Sequence, residues 1–439
     1  MKLPKMKFTV VGDMLIQRVI STEYDGFSEV SDYIKKGDAR FFNFESIIYK
    51  DGIWGSQFNG GSYHNSDPRT LDIAREYGFN MMSFANNHTF DWSYGGLIST
   101  LEALRKTDFV HAGVGMNLDE AAAPAYLETP KGRIALISMA SSFADASAMA
   151  GRQSRRIPGR PGVNGLRTAK YIEVTEEQFA VLSEIAETSG VNAGRAISRA
   201  EGYVPLKNDN STVELGNMVK FRLGDKTKYH ADLNEKDMAR LERAIYEAKA
   251  QADYILVSIH GHEVSGSAKE NPADFLVEFA HRAIDMGAHA VIGHGPHLLR
   301  PLEIYKNRPI FYSLGDFMLH NESVIFAPED MYEKYGLTSD DPLCDIYRKR
   351  SRDYTVGLLT DRRMMEAVIP YFEMEEGELT YLELFPIELG FGEPRYRLGN
   401  PRFCPDRNII ERYAEMSRPY GTEITVDERG IGIVKLSKE

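Results

Sequence analysis

Cysteine is almost missing from this chain. Cys344 and Cys404 are its two cysteines in 439 residues. They form no Cys-x-x-Cys and are too few for a disulfide framework, so a metal site has to use nitrogen and oxygen ligands. Long apolar runs are missing too. No stretch approaches the roughly 18 apolar residues of a membrane span. The N-terminal run Phe8 to Val11 stops at Gly12-Asp13, too short for a signal-peptide core. The expectation is a cytoplasmic protein with no membrane segment. Positive charge is in deficit, with 52 Lys and Arg against 64 Asp and Glu, a net −12. That argues against nucleic acid as a partner but leaves room for a local basic pocket. With 43% hydrophobic and 26% charged residues, the chain can bury one large core, or one core and a smaller lobe.

What is present is a series of short apolar strands, each running into a polar turn. Phe8-Thr-Val-Val11 ends at Gly12-Asp13. An Asp at a strand's C-terminal end sits where open α/β sheets place their ligands, unless it caps a helix starting at Met14. Phe41-Phe-Asn-Phe-Glu45 puts Asn43 and Glu45 one strand period apart on one face. Asp67-Pro-Arg-Thr opens a helix to about Tyr77, halted by Gly78. The strand Asn80 to Ala85 runs directly into Asn86-Asn87-His88-Thr-Phe-Asp91. Gly95 to Lys106 reads as a helix, and Pro124 to Thr129 and Arg133 to Met139 as two strands.

From Ser141 to Tyr229 the composition shifts. Gly, Pro and Arg crowd residues 151–165, and the capping box Thr175-Glu-Glu-Gln178 opens a helix to about Thr188. No clear period governs Asn192 to Tyr229. The stretch reads as an insertion or cap, and Arg152, Arg155, Arg156 and Arg160 within it suit capture of carboxylate or phosphate. A solvated loop is the alternative. Regular order resumes at Asn234 with a capped helix, then the strand Tyr254 to Ile259 leading into His260-Gly-His262-Glu263. A helix from Pro272 to Met286 and a strand from Ala288 to Ile292 follow. The Gly/Pro turn Gly293-His-Gly-Pro-His297 then presents His294 and His297 together. Arg308 to Leu314 is a further strand, and Ala327 to Arg352 reads as polar loop. Domain boundaries follow: a core in two halves, 1–140 and 234–325, an inserted cap region over 141–233, and a C-terminal extension over 326–439.

Five strand exits, at Asp13, Glu45, Asn87/His88, His260/His262 and His294/His297, offer carboxylate, amide and imidazole groups. Neighbouring strands of one sheet would gather them at one edge. That donor mixture suits Mn, Zn or Fe better than Ca or Mg. A bridging carboxylate flanked by His and Asn is the arrangement for two divalent transition-metal ions about 3.5–4 Å apart, and hydrolysis is the matching reaction class.

In order, Gly12-Asp13, Asn43-Phe-Glu45, Ala85-Asn-Asn-His-Thr-Phe-Asp91, His260-Gly-His-Glu263, Gly293-His-Gly-Pro-His297 and Tyr312-Ser-Leu-Gly-Asp-Phe317 resemble the signature of the CapA family. Its members are bacterial capsule and poly-γ-glutamate synthesis proteins related to calcineurin-like metallophosphoesterases. The resemblance covers Phe8 to Phe317 apart from the Arg-rich insertion. It implies an α/β fold, a four-layer α/β/β/α metallophosphoesterase-like sandwich with a dinuclear centre at the sheet edge. By the same resemblance Asp13 and His297 would hold one metal and Asn87, His260 and His294 the other, with Glu45 bridging. His88 would face the leaving group as acid, and Asp91 would orient it. Asn43, with the four arginines, would meet substrate.

Three positions depart from the family pattern. Leu15 stands where metallophosphoesterases usually carry a histidine, His262 competes with His260 for the ligand role, and Asp316 replaces a common Asn. Two functions are expected. One is a metal-dependent hydrolase acting on an amide (γ-glutamyl or peptide-like) or phosphoester bond of an anionic small-molecule or oligomeric substrate, which the resemblance implies to lie in capsule or poly-γ-glutamate metabolism. The other is a non-catalytic accessory protein that binds an acidic polymer.

Overall fold

The first strand, Met6–Leu15, is buried along nearly its whole length and shows how the molecule is layered. Met6, Phe8 and Val10 point into one apolar cluster, whereas Val11, Met14 and Ile16 belong to another. A regular strand keeps one parity per face. Here the parity flips because the pairing register slips between Val10 and Asp13 against Ala39–Phe44, with a further slip between Asp13 and Met14 against Asp316–Leu319. Such a bulge re-aims one side chain, and the side chain it re-aims is Asp13. The strand continues through Asp13 to Leu15, so no helix begins at Met14.

The computed structural model describes residues 2–48, 51–59, 61–143, 145–205 and 210–436. The chain divides into two compact units, Met1–Gly165 with Ala239–Glu439, and Leu166–Met238. In the larger unit a ten-stranded sheet has Met6–Leu15 at its centre. On one side lie the parallel strands Ala39–Phe44, Met81–Ser83 and Val110–Ala112. On the other, Glu366–Glu375 and Glu378–Glu388 form an antiparallel pair, and Asp316–Leu319 joins Met6–Leu15 in parallel. A six-stranded sheet carries the parallel strands Gly132–Ala140, Tyr254–His260, Ala290–His294 and Arg308–Leu314 between antiparallel edges Ala125–Thr129 and Leu299–Tyr305.

The two sheets share one apolar core. Phe8, Phe41 and Met81 from the first meet Leu136, Leu256, Ile292 and Phe311 from the second. The helices Phe27–Ile34, Thr70–Tyr77 and Ser93–Leu104 bury Val30, Leu71, Leu97 and Leu101 with Phe42 and Phe44 on the far face of the first sheet. The helix Asp274–Met286 packs on Ala290–His294 and Arg308–Leu314 from outside the second. The result is the expected α/β/β/α sandwich. Among the described residues, no helix is long and apolar enough to cross a membrane.

Several local expectations change. Residues 327–352 are not a loop: Glu329–Lys334 and Leu343–Arg350 are helices, with Tyr332, Leu343, Ile346 and Tyr347 gathered around Val324. The stretch Asn192 to Tyr229 holds the helix Ala193–Ala200 and the strands Thr212–Leu215, Val219–Leu223 and Lys228–Leu233. With Thr168–Val174 these strands form the sheet of the smaller unit. That unit begins later than the expected 141–233 insertion. Residues 141–165 belong to the larger unit, where Gly162–Val163 pairs with Val114–Gly115 and Ala140 N–H donates to the Asn164 carbonyl. Arg240 clasps this exit, Nε donating to Asn164 Oδ1 at 2.9 Å and Nη2 to the Gly165 carbonyl at 2.6 Å.

Two expected outcomes test this packing. Phe8 stacks on Phe372 at 4.8 Å and meets Tyr254 edge-on at 5.6 Å, with no exposed surface. Phe8→Ala therefore lowers unfolding free energy in denaturant titration by about 3–5 kcal/mol. Burial, with Arg308 and Lys249 adding to it, holds His289 down to about 3 from 6.5. The unfolded chain then binds a proton across that window and the folded chain does not, so stability falls as pH drops through it. His289 Nδ1 accepts from Ile255 N–H at 3.1 Å. His289→Asn, which keeps an acceptor, should flatten the pH dependence of Tm between pH 6.5 and 3.

Candidate metal centre

The site arises where inward-facing strand positions change from apolar to polar. Along Tyr254–His260 the inward series is Leu256, Ser258, His260, and along Ala290–His294 it is Ala290, Ile292, His294. Across the core, Phe41 is followed two and four residues later by Asn43 and Glu45. Register aligns these ends: His260 lies opposite His294, and Asp13 opposite both Asn43 and Asp316. The C-terminal edges of both sheets therefore deliver their polar residues to one place.

Asp13 sits between the sheets, fully buried. Its Oδ1 accepts from Asn43 Nδ2 at 2.7 Å, and its Oδ2 from Gly295 N–H at 2.7 Å. His260 Nδ1 and His294 Nδ1 approach Oδ1 at 3.6 and 3.5 Å. Burial alone would raise its pKa, but His260, His294 and His297 outweigh burial and hold it below the ordinary value. Glu45 is equally buried, and neither of its carboxylate oxygens has a hydrogen-bond partner. Burial, reinforced by the Asp13, Asp316 and Asp91 charges, pushes its pKa well up.

Three imidazoles converge beside these carboxylates. His260 Nδ1 is 2.9 Å from His294 Nδ1, and His260 Nε2 is 3.1 Å from His262 Nε2 and 2.8 Å from Asn87 Oδ1. Burial lowers the pKa of all three rings, that of His294 to about 3, so they are neutral. Ser258 Oγ, 2.7 Å from His294 Nε2, turns the other ring nitrogen inward. His297 takes a left-handed backbone, φ 58°, and its Nδ1 lies 2.9 Å from Asp316 Oδ1. Burial opposes its charging, yet Asp316 outweighs burial and raises its pKa. Asp316 Oδ2 is buried without a partner.

The ligand-capable atoms fall into overlapping groups within 4.8 Å: Asp13 with His260 and His294, Glu45 with His260 and His262, and Asp13 and Glu45 with His297 and Asp316. Buried carboxylate oxygens left without donors and neutral imidazoles turned toward one another are what a bound cation would satisfy. The donor set fits a divalent metal ion. Both His260 and His262 belong to it, and Asp13 and Glu45 each belong to two of the three groups.

His88 and Asp91 stand beside this cluster. Asn86 builds their turn: its side chain donates to the Phe44 carbonyl at 2.8 Å and accepts from His88 N–H at 3.1 Å. Asp91 Oδ2 holds His88 Nδ1 at 2.6 Å, which leaves Nε2 as the working atom. The same oxygen accepts from His64 N–H at 2.9 Å, and the His64 ring lies parallel to His88 at 3.6 Å. Sequence reasoning missed His64, which sits in a loop with no periodic signal. It also missed Arg300, which is fully buried and donates to the carbonyls of Gly261, His262 and Lys269 at 3.0–3.2 Å.

Other expected residues lie differently. Asn43, expected to meet substrate, is fully buried with its amide donating to Asp13. Arg152, Arg155 and Arg156 are exposed on a loop closed by the Gly151–Arg160 bridge, and Arg160 Nε donates to the Met149 carbonyl. None of the four belongs to the metal-ligand groups.

Comparison with known proteins shows the family. The family described as Bacterial capsule synthesis protein PGA_cap matches residues 7–321. An uncharacterized protein, y4sH, of Sinorhizobium fredii is 34% identical over 97% of this chain and 92% of its own length. The capsule biosynthesis protein CapA of Bacillus anthracis is 24% identical over 72% of this chain and 60% of its own length. A Mycobacterium tuberculosis protein named "Probable polyglutamine synthesis accessory protein MT0602" is 27% identical over 65% and 57%.

Arg300→Met removes the donors to three carbonyls beneath the His260–His262 loop. Denaturant titration should show a loss of about 3 kcal/mol or more, with Arg300→Lys recovering only part of it.

Proposed function

The chain belongs to the bacterial capsule synthesis PGA_cap family, and we propose that it is a metal-dependent hydrolase of an anionic substrate in capsule or poly-γ-glutamate metabolism. The observation that carries this reading is Glu45. A buried carboxylate with both oxygens unpartnered, between His260 and the Asp13–Asp316 pair, is costly unless cations satisfy it. Asp13, Glu45, His297 and Asp316 would hold one divalent ion, and Glu45, Asn87, His260 and His262 the other, with His294 on the opposite ring nitrogen of His260. Such a pair supplies an activated water and neutralises charge developing on the attacked centre.

The remaining work falls to side chains. His88, fixed through Nδ1 by Asp91 at 2.6 Å, presents Nε2 to donate a proton to the departing oxygen or nitrogen. His64, stacked on that ring, restricts its rotation. The exposed arginines 152, 155 and 156 would draw in carboxylate or phosphate groups by long-range attraction. We put a γ-glutamyl amide first among candidate bonds and a phosphoester second, a ranking supported by the capsule-biosynthesis name of the CapA relative.

A second reading, a non-catalytic accessory protein that binds an acidic polymer, draws on the name of the mycobacterial relative and on Leu15 in place of a first-motif histidine. Metal analysis with turnover of a γ-glutamyl anilide and a phosphodiester separates the two. Stoichiometric Mn, Zn or Fe with turnover supports the hydrolase, and metal-free protein that retains polyglutamate binding supports the accessory role. For the hydrolase, His88→Ala should lower kcat by about 100-fold or more while metal content stays unchanged. Metal lost together with activity would make His88 a ligand. Arg155→Ala with Arg156→Ala should raise KM more than it lowers kcat, and an unchanged KM would leave these arginines as solvated surface.

A further inference from the structure

The segment after His262 carries four charged side chains, and three of them are engaged. Glu263 accepts from Ser141 Oγ and Ser142 Oγ, both at 2.9 Å. Glu270 pairs with Arg363, and Asp274 Oδ1 accepts from Ser265 Oγ at 2.9 Å. Lys269 is half-buried, yet among the described residues its ammonium has neither a hydrogen-bond nor an ion-pair partner. We infer that Lys269 is the anion-binding group of the site, holding a carboxylate or phosphate oxygen of the substrate beside His297 and Asp316. That role rests on the site proposed above and needs no turnover.

The backbone of Lys269 is fixed while its side chain is uncommitted. The segment closes on itself: Val264 bridges Pro272, Ser265 N–H donates to the Asn271 carbonyl at 3.2 Å, and Asn271 N–H to the Ala268 carbonyl at 3.1 Å. Arg300 then ties it to the cluster. One planar guanidinium donates to the Lys269 carbonyl at 3.0 Å and to the Gly261 and His262 carbonyls at 3.2 and 3.0 Å. Lys269 therefore starts within the width of that group from the His262 backbone, and its four-carbon stem carries the ammonium onward. Beyond burial and their own ion pair, His297 and Asp316 both feel the Lys269 charge.

An ammonium is strongly hydrated, and taking it from water without an acceptor is costly. Burial holds the Lys269 pKa below its ordinary value, and the Asp316 and Asp361 charges that oppose burial do not outweigh it. Both carboxylates are engaged elsewhere: Asp361 with Arg363 at 2.6 Å, and Asp316 Oδ1 with His297 at 2.9 Å. An anionic oxygen of the substrate supplies the missing acceptor. Lysine acts there as a point charge, so carboxylate and phosphate share the chemistry.

Calorimetric titration of the full chain with inorganic phosphate and with tri-γ-glutamate at low ionic strength tests this, with bound metal measured alongside. Lys269→Gln should raise the Kd of the recognised anion about tenfold or more, and Lys269→Arg should recover most of the loss. Weakening of one anion alone supports the role and names which oxygen the ammonium takes. An unchanged Kd for both anions in Lys269→Gln overturns the inference, as does an unaltered chain that binds neither. A lysine that only balances Asp13 and Asp316 would give tighter metal binding in Lys269→Gln with anion affinity unaltered, which also overturns it. Anion affinity lost through Lys269→Gln in a protein that shows no turnover would remove the hydrolase and keep the anion site. Turnover with anion affinity unaltered would remove the anion site and keep the hydrolase.

Discussion

One carboxylate joins the two sheets. Asp13 receives a hydrogen bond from Asn43 on the neighbouring strand of its own sheet and another from Gly295, just past a strand of the opposite sheet. A buried charge is tolerated only when its oxygens are satisfied, so this contact fixes the spacing of the sheets where their apolar core ends. The bulge between Val10 and Asp13 makes it possible. Without the slip in register, position 13 would share the face of Val11. The ligand-capable side chains take their positions from that edge: His260 and His294 by register, Glu45 by strand period, and His297 by the turn that Gly295 begins.

The support behind the ligands is as specific as the ligands. Arg300 has no exposed surface and spends its guanidinium on three backbone carbonyls, two of them in Gly261 and His262. Burial lowers its pKa only to about 10, so it remains a cation beneath the histidine loop. Ser258 turns His294, Asp91 turns His88, and Asn86 ties the His88 turn to the strand that ends near Glu45. Each acts through hydrogen bonds made in a buried environment, where such bonds hold orientation well.

The sandwich was legible in the sequence because a buried parallel strand reads as an apolar run. Each run gives way to a polar turn, which is how Asp13, Glu45, Asn87, His260 and His294 could be named as candidates, whereas the bulge that aims Asp13 leaves no mark in the period. The illegible parts lack a period. His64 lies in a loop and reaches His88 only through the fold. The central strand Glu366–Glu375 was not foreseen, since acidic residues at both ends and an internal Pro370 hide its buried face. The helices in 327–352 are short and highly charged, and the spacing of Leu343, Ile346 and Tyr347 is their one apolar signal. In the smaller unit, the helix Glu176–Thr188 was legible from its capping box, although it carries no buried residue.

Arg240 has an implication for how such a protein diversifies. It holds Asn164 and Gly165 from the residue positions just after the smaller unit ends, so the two chain ends leading into Leu166–Met238 stay together within the larger unit. A segment that leaves and re-enters through a pinned gate can be lengthened, shortened or replaced wholesale between residues 165 and 239 while the histidine-bearing turns of the larger unit stay as they are.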